Sequence, residues 1–431
     1  MEFSEFIEEK ALLAEDRVSG EFARIAAVAA RNQRKVVFAM QDARVSDIHF
    51  AGSSGYGYND IGREALDKVF ANIFRTEAAL VRHQMASGTH AIGISLYGNL
   101  RPGDELLSIT GRPYDTILST IGIRRADSSG GADSSGGADS TGGAGSLREL
   151  GVSYREVPLA PGGGIDVEAA RKAVNARTKV VMIQRSRGYN WRDALSVAEI
   201  GRAIAAIKNT REGLIVFVDN CYGEFVEETE PSEVGADIIA GSLIKNPGGG
   251  LAPSGGYVAG KKEYVNNAAY RLTVPGLGGE IGATHSVNRL FFQGIFLAPH
   301  AVAESLKGAV FLASLMEAEG YKTSPTAHGC RADIVQAVEL GSPERLKAFC
   351  RGIQSGSAID SFVTPEPWLM PGYEHEVIMA AGTFVQGASI ELSADAPMIE
   401  PYIVYVQGGL IYESAKIGFL SALSNLSSLG G

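Results

Sequence analysis

Lys245 stands in Ser242-Leu-Ile-Lys-Asn-Pro-Gly-Gly-Gly250, about two dozen residues after Asp219, which closes the apolar run Leu214-Ile-Val-Phe-Val218. An amine and a carboxylate so placed suit pyridoxal 5′-phosphate (PLP). That cofactor needs an amine to form an imine with its aldehyde, an anion beside its pyridinium nitrogen and donors around its phosphate. Asp219 ends a strand that reads as buried on both faces, and an ionised carboxylate there needs a cation or several hydrogen bonds. A pyridinium would be that cation; the ordinary alternative is a cap on the turn Asp219-Asn-Cys-Tyr222. Lys245 must be neutral to attack an aldehyde, so its pKa is expected to fall below that of a free lysine. The glycines after it are expected to let the backbone approach the cofactor.

Other groups of the right kind lie upstream. Ser87-Gly88-Thr89-His90 follows the strand expected to end at Gln84 and opens a helix, so free N–H groups and two hydroxyls face whatever lies beyond the strand. A phosphate fits there, and Ser242 offers a further hydroxyl; alone, each is an ordinary cap or turn residue. Tyr114 could stack on a pyridine ring or simply pack. Arg185 and Arg187, in Gln184-Arg-Ser-Arg-Gly-Tyr189, could grip a substrate carboxylate or the ring's phenolic oxygen, a solvated loop being the alternative. Nucleotide-binding, zinc-protease and serine-hydrolase motifs are absent, and the seven histidines show no metal-ligand spacing.

The elements that must position these residues alternate. Strands are expected at 79–84, 105–110, 180–184, 215–218 and 237–240, with helices at 63–74, from Ser87 and at 196–208. Such alternation predicts a mostly parallel sheet with helices on both faces and ligands at the strands' carboxyl ends. A helical lead-in from Phe3 to about Val45 comes first, broken at Val18-Ser-Gly20. A long helix over about 285–319 comes later. Strand-like segments at 333–340, 377–380, 387–392 and 402–406 with a final helix read as a smaller domain. The expected divisions are 1–50, a helical segment; 51–290, the large PLP-binding domain; and 291–431, the smaller α+β domain. A tandem hexapeptide, Ala126-Asp-Ser-Ser-Gly-Gly and its two copies, has nothing apolar to bury, so 126–146 is expected to be a dispensable surface insertion.

Composition narrows the class. The 431 residues suit a large domain with a smaller one attached. A formal charge of −10 and no basic, aromatic-interleaved cluster argue against nucleic acid. The start, Met1-Glu-Phe-Ser-Glu, is acidic where a signal peptide would be basic, and no uninterrupted apolar run approaches membrane-spanning length, so a cytoplasmic protein is expected. Cys221, Cys330 and Cys350 form no C-x-x-C pair and are expected to be reduced thiols.

Longer stretches carry a resemblance. Ser87-Gly-Thr-His-Ala-Ile92, Gln184-Arg-Ser-Arg-Gly-Tyr189, Val218-Asp-Asn-Cys-Tyr-Gly-Glu-Phe225, Gly241-Ser-Leu-Ile-Lys-Asn-Pro-Gly-Gly249, Pro365-Glu-Pro-Trp-Leu-Met-Pro-Gly-Tyr373 and Gly382-Thr-Phe-Val-Gln-Gly-Ala-Ser-Ile-Glu-Leu392 resemble the methionine gamma-lyase-like, or aluminium-resistance, proteins. The resemblance implies an α/β, aspartate aminotransferase-like fold (PLP fold type I) with a mixed, mostly parallel sheet and a smaller α+β C-terminal domain. It implies a homodimer or homotetramer with active sites at the subunit interface. It also implies PLP on Lys245, Asp219 at the ring nitrogen, Ser87, Gly88, Thr89 and Ser242 at the phosphate, and Tyr114 against the ring, with Lys245 and Tyr114 as catalytic residues. Tyr56 and Tyr58, with Arg63, occupy the stretch that in related transsulfuration enzymes reaches a neighbouring subunit's phosphate, without the same spacing. Ile244 stands where those enzymes carry a hydroxyl before the lysine. Candidates for the substrate carboxylate are Arg185, Arg187, Arg289 and Arg331. The activity so implied is elimination at Cβ or Cγ of a sulfur-bearing amino acid, the alternatives being an aminotransferase and a non-catalytic resistance or binding protein.

Overall fold

The computed structural model describes residues 3–123, 143–369 and 375–429. The expected insertion at 126–146 lies almost wholly outside the described residues. The larger sheet comprises β1 (Ala78–Arg82), β2 (Glu105–Ser108), β3 (Ser153–Glu156), β4 (Thr178–Gln184), β5 (Ile215–Asp219), β6 (Ile238–Ser242) and β7 (Gly256–Gly260), in the order β1-β7-β6-β5-β4-β2-β3. β7 runs antiparallel to β1 and β6, and the other pairings are parallel. The central strands are unbroken apolar runs because both faces are covered. Val216 and Val218 face one buried core, and Ile215 and Phe217 face the other.

The helices in chain order are α1 (Glu5–Arg17), α2 (Ser19–Asp42), α3 (Ile61–Ile73), α4 (Gly88–Asn99), α5 (Asp115–Ile121), α6 (Val167–Ala173), α7 (Val197–Lys208), α8 (Lys262–Leu272), α9 (Asn288–Ala318), α10 (Pro343–Ser355) and α11 (Tyr412–Ser428). The smaller sheet is β8 (Lys322–Ser324), β9 (Gln336–Glu339), β10 (Val377–Ala381), β11 (Ser393–Pro397) and β12 (Ile403–Gln407), wholly antiparallel in the order β10-β11-β12-β9-β8. Phe349 and Ile353 of α10 and Phe419 and Leu423 of α11 cover one face of it. Ile7, Ala11 and Ala14 of α1 join that same core, so the start of the chain packs beside its end. α9 joins the two bodies: Phe291 and Ile295 lie in the large sheet's core, Phe311 and Leu315 in the smaller sheet's. Among the described residues α9 is the one helix long and apolar enough to cross a membrane, but most of its apolar stretch is buried inside the protein.

Three strands have no counterpart in the sequence reading. β7 is Gly-Tyr-Val-Ala-Gly, whose glycines read as loop, yet its residues are buried between β1 and β6. β3 and β8 are short edge strands. The expected strand at 387–392 is instead a series of turns, and β11 begins only at Ser393. Gly387 has a φ of 79°, and the Glu391 carboxylate accepts the backbone N–H groups of Phe384 at 2.7 Å and Val385 at 3.0 Å, which closes a loop.

Candidate active site

The parallel register sets Gln184 beside Asp219, and Asp219 beside Ala240. β4, β5 and β6 therefore finish nearly in line, and the residues following them are delivered to one edge of the sheet. α4 begins at that edge. Ser87 caps it, its Oγ accepting the His90 N–H at 3.1 Å. Gly88 lies against the end of β6; a Cβ there would sit 3.0 Å from the Ser242 Cβ and 3.5 Å from the Cys221 Sγ. The missing side chain lets the amides of a helix N-terminus meet the strand end.

Between this edge and the smaller sheet lies a cavity of about 390 Å³. Ser87, Gly88, Thr89, Tyr114, Asp219, Ser242 and Lys245 all line it. Lys245 Nζ lies 4.0 Å from the centre of the Tyr222 ring. Burial works against its ammonium form, but Cys221, Tyr222 and Asp219 outweigh burial and lift its pKa above that of a free lysine. The expected fall is thus reversed by the protein's own groups, because among the described lining residues there are acids and no second Lys or Arg. Burial pushes the Asp219 carboxyl up while Lys245 pulls it down, and its Oδ1 accepts the Cys221 N–H at 3.1 Å. Asp219 thus caps the turn that follows it. Burial also raises the Cys221 thiol, with Lys245 partly opposing.

Thr89 Oγ1 pairs with Thr116 Oγ1 at 2.8 Å. Tyr114 donates its backbone N–H to Gln184 Oε1 at 2.7 Å and meets Tyr189 edge-on, with ring centres 5.8 Å apart. The glycines after Lys245 serve another purpose than the one expected. Gly249 adopts a φ of 53°, and a side chain there would collide with the Gly294 carbonyl of α9. They seat the turn on a helix and do not line the cavity.

The arginine expectations also need correcting. Arg185 is fully buried: its guanidinium donates to Asn220 Oδ1 at 2.8 Å and Glu227 Oε2 at 2.8 Å and pairs with Glu230 Oε2 at 3.3 Å. Arg187, equally buried, is spent on Ser324 Oγ at 3.1 Å and Asp193 Oδ1 at 3.5 Å. Neither lines the cavity, because the loop after β4 turns both into the protein, where carboxylates neutralise them. Arg289 is exposed outside it, and Arg331 binds Gln336 Oε1 at 2.6 Å. Arg63 is buried, holding the carbonyls of Gly57 and Glu280 at 2.8 and 3.0 Å. Tyr56 and Tyr58 are exposed and lie outside their own chain's cavity.

Sequence reasoning missed several lining residues, among them Tyr222, Gln184, Asp395 and Gln407. Tyr222, the platform for Nζ, was within reach, since it stands three positions after Asp219 in a quoted motif. Gln184 was named only as a strand end. Asp395 and Gln407 come from β11 and β12, and no local signal marks them. Gln407 Nε2 donates to Asp395 Oδ2 at 2.8 Å, and burial raises the Asp395 carboxyl. Ser389 Oγ donates to the Tyr222 hydroxyl at 3.1 Å, tying the two bodies together above the lysine.

The donor set fits PLP. A buried acid, a lysine beside it and a helix N-terminus flanked by three hydroxyls meet in one cavity.

The sequence profile of the methionine gamma-lyase family matches residues 7–427. The uncharacterised protein YnbB of Bacillus subtilis (strain 168) is 49% identical over 422 residues, spanning 98% of this chain and 97% of that one. Among solved structures, a candidate cystathionine beta-lyase involved in aluminium resistance from Clostridium acetobutylicum is 51% identical, with a TM-score of 0.91 over 98% of this chain and 96% of that one. A carbon-sulfur lyase involved in aluminium resistance from Clostridium novyi NT is 47% identical, with a TM-score of 0.91 over 98% and 96%.

Proposed function

We propose that this chain, which belongs to the methionine gamma-lyase family and uses PLP, is a lyase that breaks a carbon–sulfur bond at Cβ or Cγ of an amino acid. The observation that carries the reading is the meeting of Lys245, Asp219, Ser242 and the start of α4 around one cavity. The likeness to a Clostridium novyi carbon-sulfur lyase supports it.

Bound PLP supplies an aldehyde that captures an amine and a ring that draws electrons from the substrate's Cα. Asp219 would hold the ring nitrogen, and the charge it meets there would relieve its burial. The α4 amides with the hydroxyls of Ser87, Thr89 and Ser242 would hold the phosphate. Tyr114 would lie against the ring. Lys245 would take the substrate's α-proton on Nζ, and its surroundings favour keeping it as an ammonium. Tyr222 holds that Nζ in place. The sulfur group would leave as a thiol, and water would hydrolyse the remaining unsaturated product to ammonia and an oxo acid.

The test is incubation of the PLP-loaded protein with cysteine, cystathionine, homocysteine and methionine, following keto acid. At least one is expected to yield it; none yielding it with PLP bound rejects the lyase reading. We also propose a homodimer or homotetramer with shared active sites, for which the exposed Tyr56 and Tyr58 are the reach-across candidates. A monomeric mass in solution would reject that.

A further inference from the structure

Outside the lysine's cavity lies a larger chamber of about 720 Å³, and the two share Tyr114, Gln184 and Gly188. Arg192 lines this outer chamber at 9% exposure. Its Nη1 donates to the Asp193 carbonyl at 2.9 Å and its Nη2 to the Ser186 carbonyl at 2.6 Å. No ion pair is formed by Arg192 among the described residues. Arg185, seven positions earlier, has two carboxylates for the same charge. Burial pulls the Arg192 pKa down to about 10, with Asp333, Asp193 and Glu199 partly opposing, so the group remains a cation at neutral pH. A buried guanidinium that lines a chamber and has carboxylates only beyond ion-pair distance among the described residues gains from an anion brought into contact with it. Its two carbonyl bonds leave further N–H donors of the five for a planar carboxylate.

The chamber is placed to receive the far end of a substrate. Ser186, whose carbonyl Arg192 holds, also lines the inner cavity, so the guanidinium stands just behind the dividing wall. Of the outer chamber's acids, Glu156 takes the Tyr154 hydroxyl at 2.6 Å. Arg112 adds a second cation at the exposed rim. A methyl sulfide would leave this space to water.

We propose that the outer chamber binds a leaving group bearing its own carboxylate, held by Arg192, so that two-ended thioether amino acids are preferred over short neutral ones. The proposal rests on the lyase reading, but its test does not need turnover. L-2-Aminopimelate and L-2-aminoheptanoate replace the sulfur of such substrates by methylene and differ only in the distal carboxylate. Their binding to the PLP-loaded protein is measured by calorimetry and by the visible spectrum. Aminopimelate is expected to bind about tenfold tighter, as one charge-assisted pair provides. Arg192→Gln is expected to erase the difference and leave aminoheptanoate binding unchanged. Equal binding to the unaltered protein overturns the proposal, and needs no variant. Equal weakening of both ligands in Arg192→Gln also overturns it, since the guanidinium would then serve the shared α-carboxylate or the fold. Loss of the preference in Arg112→Gln alone overturns the assignment to Arg192. Absence of keto acid from cysteine, cystathionine, homocysteine, methionine and S-(2-carboxyethyl)-L-cysteine alike, with the binding preference intact, rejects the lyase reading and leaves the chamber's role standing.

Discussion

The two walls of the inner cavity are assembled in different ways. The wall on the large sheet consists of residues within a few positions of strand or helix ends, Ser87, Asp219, Ser242 and Lys245, brought into line by parallel register. The wall on the smaller sheet presents Ser389, Asp395 and Gln407 from separate segments. They meet only once β11 and β12 pair, with Ser393 opposite Gln407. On the proposed reading, the first wall would hold the cofactor, and the second presents neutral or acidic groups to the same cavity. The first wall is set by local geometry, and the second by long-range pairing.

The contrast can be tested from its strongest consequence downwards. Lys245→Ala removes the base and the cofactor's anchor, so keto-acid formation should fall by on the order of 10⁴ and the absorption of lysine-bound cofactor should vanish. Asp219→Asn keeps the shape and removes the charge. Turnover should fall by roughly 10² to 10³, as for loss of one aimed electrostatic group, with PLP still retained. Asp395→Asn, on the opposite wall, should alter KM by less than about tenfold and leave the cofactor spectrum unchanged. A loss as deep as that of Lys245→Ala would break the comparison.

The smallest effect lies behind the first wall. Glu224 accepts the Tyr257 hydroxyl at 2.8 Å, and its carbonyl takes Asn246 Nδ2 at 2.9 Å, next to the lysine. Burial pushes its pKa up to about 8 from 4.5. Between those values the folded chain keeps a proton that the unfolded chain releases, so this group makes stability fall as pH rises and adds nothing further above the upper value. The slope is at most about 1.4 kcal/mol per pH unit. Glu224→Gln should flatten the change in urea-unfolding stability over that window. An unchanged slope would mean that Glu224 is not protonated in the folded protein.

Much of the first wall was legible in the sequence because each of its residues follows an apolar run whose end marks the sheet's edge. Asp219 and Lys245 could be paired on paper for that reason. The second wall was not, since the turns at 387–392 and the strand after them depend on Glu391 closing a loop and on a partner strand. The arginines misled for a related reason: Arg185 and Arg187 have the right chemistry, but the chain after β4 turns them inward to Glu227, Glu230 and Asp193. β7 hid behind its glycines, which are there because close neighbours crowd both ends of that strand.

Gly294 is in α9, at a distance from any substrate, yet a methyl group there would strike the Gly248 carbonyl in the turn that follows Lys245. The amine's aim is therefore fixed from the rear, by a helix that also supports the smaller sheet. An engineer wishing to reposition the base would do better to alter that hidden contact than any residue the reactants meet.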